Sequence, residues 1–136
     1  MPDPDSEVAV FPADRYGVIQ PTGVVTASDV VALGTALASH PDWRPGFTEF
    51  WDLRFSMAVD LLPTDAATLL DLEDRTKEAL ADSTTLIFTT RTLLLYSVKF
   101  YARLVSPLGR RVVAASSEEE ALDHLGVASL PDLRPR

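Results

Sequence analysis

The run best suited to hold an anion is Thr89-Thr90-Arg91-Thr92, three hydroxyls around one permanent cation. It falls where a strand gives way to a helix, so the N–H groups of the first helical turn lack intrahelical partners. Hydroxyl donors and the Arg91 guanidinium would add to them. Arg54 closes an earlier strand, and in an open α/β sheet the carboxyl ends of strands gather on one edge. That edge would bring Arg54 toward Arg91, making Arg54, Thr90, Arg91 and Thr92 the candidate ligand- or anion-binding residues. The competing arrangement has the threonines capping the helix and both arginines paired with carboxylates.

Aromatic residues form the second group. Trp43, Phe47, Phe50 and Trp51 crowd one loop and strand, and alternation puts Phe47 and Trp51 on one face with Phe50 on the other. Most suit a core. Trp43, between Pro41 and Pro45, is a candidate for a partly exposed aromatic contact, as are Tyr96 and Tyr101. A pocket lined by these aromatics with Arg54 at its mouth is the ligand-binding arrangement they allow.

Catalytic and metal chemistry have little to stand on. No cysteine is present, which removes thiolate ligands, cysteine nucleophiles and disulfides. The two histidines, His40 and His124, have no convincing ligand partners; His124 with Glu120 makes an i, i+4 pair typical of a surface hydrogen bond. A serine triad is defined by geometry rather than order, but nothing here resembles a nucleophile elbow. The six glycines are scattered, giving neither a P-loop nor a dinucleotide fingerprint. The expectation is no catalytic residue, no metal and no cofactor.

Charge and hydropathy exclude further classes. A net charge of −8, with Arg110-Arg111 as the one adjacent basic pair, argues against nucleic acid and against anionic membranes. Met1–Glu7 has neither the basic nor the apolar region of a signal peptide, and the apolar stretch Leu93–Val98 is far short of the roughly 20 residues that span a bilayer. The cytoplasm is the expected compartment.

The elements that must position these residues follow from local signals. Val8–Phe11 and Tyr16–Ile19, joined by Pro12-Ala13-Asp14-Arg15, read as an antiparallel hairpin. Thr26-Ala27-Ser28-Asp29 has capping-box spacing and opens a helix through Val30, Leu33 and Leu37 that must stop before Pro41. Phe47–Arg54 is an aromatic-rich strand. Pro63-Thr64-Asp65 opens a second helix offering Leu69, Leu70, Leu72 and Leu80 for burial, followed by a strand at Thr84–Thr89 and a third helix at about Thr92–Val105. Arg111–Ala114 is a last strand; Ser117–Glu120 caps a last helix, with its acidic triplet suited to the helix dipole and Gly126 at its end. The order β-β-α-β-α-β-α-β-α predicts a mixed, largely parallel five-stranded sheet with an N-terminal antiparallel hairpin and four helices. Residues 8–128 read as the domain, 1–7 and 129–136 as loosely held ends.

That order, with particular words in place, resembles the STAS/SEC14-like (SpoIIAA-like) family. The words are Gly23-Val24-Val25-Thr26, His40-Pro41-Asp42-Trp43-Arg44-Pro45-Gly46, Trp51-Asp52-Leu53-Arg54, the tyrosine-bearing helix Leu95–Leu104, and Ser117–Gly126. The resemblance implies a SpoIIAA-like scaffold and no catalysis. It implies a non-catalytic module acting on a protein partner in a regulatory or scaffolding role, with homodimerisation as one form. On its SEC14 side it implies a small apolar or amphipathic, lipid-like ligand. The family's anti-sigma-factor antagonists carry a phosphorylatable serine after an acidic residue at the start of the second helix. Here Leu61 and Leu62 follow Asp60, and Ser56 lies off that position, so the switch does not carry over.

Overall fold

The computed structural model describes residues 6–133. Strands β1 (Glu7–Phe11) and β2 (Tyr16–Gln20) form the expected hairpin, Val8 opposite Ile19 and Val10 opposite Gly17. A 3-10 turn at Pro12–Asp14 joins them, and Arg15 closes it in the left-handed region at φ 59°. Strands β4 (Thr48–Asp52), β6 (Thr84–Phe88) and β7 (Arg111–Ala115) then add in parallel, giving the order β1-β2-β4-β6-β7. Between them run α1 (Ala27–Ala38), α2 (Ala66–Thr76) and α3 (Thr92–Val105), with α4 (Glu118–Leu125) last. The mixed five-stranded sheet and four helices match the sequence reading.

One layer was not foreseen. β3 (Gly23–Thr26) and β5 (Ser56–Asp60) pair in parallel as a separate two-stranded ribbon. Beside it, the strand read as Phe47–Arg54 is shorter, because the Asp52 carboxylate accepts the Arg54 N–H and turns the chain into a 3-10 turn over Leu53–Phe55. The chain therefore leaves the sheet two residues early and is free to form β5.

The helices begin where their caps put them. Thr26 and Asp29 exchange both capping-box bonds at α1. At α4 the Ser117 hydroxyl accepts the Glu120 N–H, while the Glu120 carboxylate accepts from the Ser116 hydroxyl, so the box is half formed. Gly126 ends α4 at φ 70°, where a side chain would be strained. α2 is preceded by a 3-10 turn at Pro63–Asp65, and Leu69, Leu72 and Leu80 are buried, whereas Leu70 faces solvent.

The sheet separates two cores. Ile19, Trp51 and Ile87 face α1, α2 and α3; Val18, Phe50 and Leu86 face α4. Phe47 joins Trp51 in the first core and Phe50 lies in the second, as alternation requires. Gly17 lets Leu37 and Trp43 lie directly on β2: a Cβ there would sit 2.5 Å from Leu37 Cδ1. The C-terminal segment read as a loose tail is held as far as Leu133. Gln20 Nε2 and Arg54 donate to the Pro131 carbonyl, Leu133 N–H donates to Gln20, and Leu130 and Leu133 pack on the α4-side core. Residues 1–5 and 134–136 lie outside the described residues.

Candidate functional site

The core between the sheet and α1–α3 is not filled. A half-open apolar cavity of about 60 Å³ remains, roofed by Val25 and Val59 of the ribbon. Gly34 of α1 and Leu72 of α2 form one wall, Val98 of α3 another, and Trp51 and Ile87 the floor. The β3–β5 ribbon thus has a consequence for function: it closes a space that the five-stranded sheet and its helices leave open.

One end of this cavity is polar. Glu49, next to Trp51 but one on the same face of β4, accepts hydrogen bonds at Oε1 from Trp51 Nε1 (2.9 Å) and the Thr85 hydroxyl (3.1 Å). Glu73 of α2 accepts from the Tyr101 hydroxyl at Oε1 and from Arg110 Nε at Oε2 (2.9 Å). Arg110 also donates to the Ser83 carbonyl (3.1 Å) and to the Thr85 hydroxyl oxygen. Glu49 and Glu73 are each only 4% exposed.

Two buried carboxyl groups therefore share one guanidinium. Glu73 holds it in a direct ion pair, leaving Glu49 as the uncompensated group. Burial pushes the Glu49 carboxyl above the ordinary range, and the nearby Glu73 charge adds to this. The Trp51 and Thr85 hydrogen bonds and the Arg110 charge oppose the rise without cancelling it. Burial likewise drives the Tyr101 hydroxyl well above its usual value, reinforced by the charges of Glu49 and Glu73, so it stays protonated and donating.

The residues singled out from sequence lie elsewhere, with one exception. Tyr101 belongs to the cavity, buried and bonded to Glu73 rather than offered as a surface contact. Trp43 is corrected from a partly exposed contact to a core residue: it is 5% exposed, donates through Nε1 to the Ala79 carbonyl (2.7 Å) and packs edge-on against Phe47. Tyr96 is exposed on α3 beside Leu93, and Met57 of β5 is exposed as well.

Arg54 does not stand at the cavity mouth. It pairs with the fully buried Asp52, donates to Pro131 and lies 4.9 Å over the Phe55 ring. Arg91 donates instead to the Met57 carbonyl, tying the start of α3 to the ribbon. Thr90 and Thr92 are exposed, and α3 carries no side-chain cap; the Thr89 hydroxyl accepts the Arg91 N–H just before it. No contact links Arg54 to Arg91 among the described residues.

Sequence reasoning missed Glu49, Glu73, Thr85 and Arg110. The signal was present in phase: Glu49 alternates with Phe47 and Trp51, and Glu73 shares its helix face with Leu69, Leu72 and Thr76. A carboxylate that keeps step with core positions is a buried carboxylate. Among the described residues no group of three or more His, Asp or Glu is placed to hold a metal ion. No described helix is long and apolar enough to cross a membrane.

This architecture is the SpoIIAA-like fold. Among solved structures the chain is similar to an uncharacterized protein of the DUF3478 family with a SpoIIAA-like fold from Shewanella loihica, at 16% identity and a TM-score of 0.56. The alignment covers 88% of this chain and 91% of that one. It is similar also to the anti-sigma factor antagonist SpoIIAA in its unphosphorylated form, at 16% identity and a TM-score of 0.50, over 90% and 99% of the two chains. No protein-family profile matches the chain, and no curated protein does.

Proposed function

We propose that the protein is a non-catalytic binding module that takes a small apolar or amphipathic ligand into the cavity beneath the β3–β5 ribbon. The observation that carries this reading is the cavity itself: apolar walls from three helices and the ribbon, a half-open mouth, and a few convergent polar groups at one end. That is the usual make-up of a small-molecule site. The enclosed volume, about 60 Å³, is about twice one water molecule's share, so only the end of a ligand fits inside. A longer tail would leave through the mouth or require the ribbon to move.

The non-catalytic part rests on how the polar groups are spent. Tyr101, Arg110, Thr85 and Trp51 all bond to Glu49, Glu73 or one another, so none is held back for a reacting atom. The same proposal places the module in the cytoplasm. Titration with hexan-1-ol, followed by methyl resonances of Val25, Val59 and Val98, tests it. Saturable shifts confined to these residues support cavity binding; shifts only at exposed Leu93 and Tyr96, or none, overturn it.

A second reading, the regulatory or scaffolding protein-interaction module, is favoured by one observation. Met57, Leu93 and Tyr96 are 72%, 80% and 66% exposed on segments joined by the Arg91–Met57 hydrogen bond. Apolar groups left in water at adjoining positions suit a contact with a protein partner or a second copy. Crosslinking and sedimentation of the wild type against a Met57→Ser, Leu93→Ser, Tyr96→Ser variant separates the readings. A complex lost in the variant supports it; a monomer without crosslinked partners removes it.

A further inference from the structure

The polar end of the cavity is one-sided in its hydrogen bonding. The Tyr101 hydroxyl spends its proton on Glu73, the Thr76 hydroxyl on the Leu72 carbonyl, and the Trp51 indole on Glu49. What the Tyr101 and Thr76 hydroxyls have left are lone pairs, while the Trp51 indole, a donor only, has nothing further to offer. Glu49 adds one more acceptor. Its Oε1 takes two hydrogen bonds, whereas Oε2 has no protein donor. No fully buried side-chain oxygen or nitrogen among the described residues lacks a partner, so Oε2 keeps some exposure, and the cavity is a space that Glu49 lines. Ser97, on the α3 wall, adds a hydroxyl that can serve as donor or acceptor.

Charge points the same way. Glu73 from α2 is matched by Arg110, which reaches in from the turn before β7. Tyr101 from α3, Thr85 from β6 and Trp51 from β4 are neutral. The site is one positive charge short when Glu49 ionises, and a buried carboxylate without a counter-ion is costly.

We propose that Glu49 is the head-group-recognising residue of this cavity and that its ligand is an amphipathic primary amine, a short apolar chain or ring ending in an ammonium group. The inference rests on the ligand-binding reading and adds the class of ligand. An ammonium group brings three donors and the missing charge, with Glu49 Oε2, the Thr76 and Tyr101 oxygens and the Ser97 hydroxyl as acceptors within the lining. A carboxylate of the same length brings no donor and a second negative charge. A neutral alcohol falls between them.

Binding is coupled to a proton. Burial, which raises the Glu49 carboxyl, opposes its ionisation in the empty cavity, and an ammonium group against Oε2 favours it, so amine binding favours loss of the Glu49 proton.

The test is a calorimetric titration of the full chain with hexylamine, hexan-1-ol and hexanoate, in the wild type and in Glu49→Gln. Hexylamine is expected to bind about tenfold or more tighter than hexan-1-ol, a difference of roughly 1.4 kcal/mol or greater, and hexanoate weakest. Glu49→Gln should erase the amine preference over hexan-1-ol. In the wild type the Trp51 indole N–H resonance should move with hexylamine, because its acceptor changes state; this readout needs no variant. Hexanoate binding as well as hexylamine, an undiminished amine preference in Glu49→Gln, or a stationary Trp51 resonance would overturn the inference. If hexan-1-ol binds in the cavity and the three head groups are not distinguished, the ligand-binding reading stands and this inference fails. If none of the three binds, both fail.

Discussion

Replacing Arg110 by methionine removes the one cation from the buried end of the cavity while keeping much of the side chain's apolar bulk. In the native protein the Arg110 guanidinium is 2.9 Å from Glu73, with side chains 10% and 4% exposed. It also satisfies the Ser83 carbonyl and Thr85. Breaking a buried pair by deleting one partner costs about 3–5 kcal/mol, since the remaining charge keeps its desolvation penalty and loses its compensation. Against a total stability of about 5–15 kcal/mol for a domain, that is a large fraction. For a chain of this size it corresponds to a midpoint lowered by roughly 10–15 °C. Adding Glu73→Gln should recover most of the loss, because it removes the buried charge that Arg110→Met leaves without a partner. Urea unfolding followed by fluorescence of the buried Trp43 and Trp51 measures the wild type and both variants. A deficit under about 1 kcal/mol would mean that water already compensates Glu73 and that the buried-pair reasoning is wrong.

Other perturbations test neighbouring parts of the structure. Glu49 has a folded value raised above 4.5, so its favourable contribution is complete below that pH and lost as pH rises through the raised value. Glu49→Gln should flatten the wild-type fall in stability over this window in the same urea experiment. Gly17→Ala pushes a methyl group to 2.5 Å from Leu37 Cδ1 and 3.1 Å from Trp43, and overpacking of this kind costs about 1–3 kcal/mol, read as a lower urea midpoint. Tyr101→Phe leaves one oxygen of Glu73 without its donor, for about 1–3 kcal/mol by the same assay. Arg54→Ala strips the buried Asp52 of its cation and the Pro131 carbonyl of a donor; amide exchange should quicken at Leu133 and leave α3 unchanged.

Much of the fold was legible because its signals are local. Thr26 with Asp29, the run Thr92–Val105 and Gly126 each mark a boundary through chemistry within one or two helical turns. The β3–β5 ribbon was not, for a physical reason. Gly23–Thr26 and Ser56–Asp60 are four- and five-residue strands that pair only with each other, across about thirty intervening residues, and neither has a strong alternation of its own. The candidate site was the least legible part. Glu49 and Glu73 look like ordinary surface acids until the phase of their neighbours is considered, and Arg110 reaches Glu73 from 37 residues away. Trp43 shows the reverse error: flanking prolines suggested a loop residue in water, but its indole N–H finds the Ala79 carbonyl 36 residues on. Arg54 and Arg91 were chosen for a shared sheet edge, and each instead closes a nearby backbone or carboxylate contact.

The central claim, a module that holds a small ligand beneath its ribbon, is tested most directly by native mass spectrometry of the freshly purified full chain, compared with its denatured mass and then repeated with added hexan-1-ol. The expected result is a one-to-one adduct, either co-purified and lost on denaturation or formed saturably with the alcohol. A bare mass in both spectra, with the alcohol giving only unsaturable multiple additions, would contradict it.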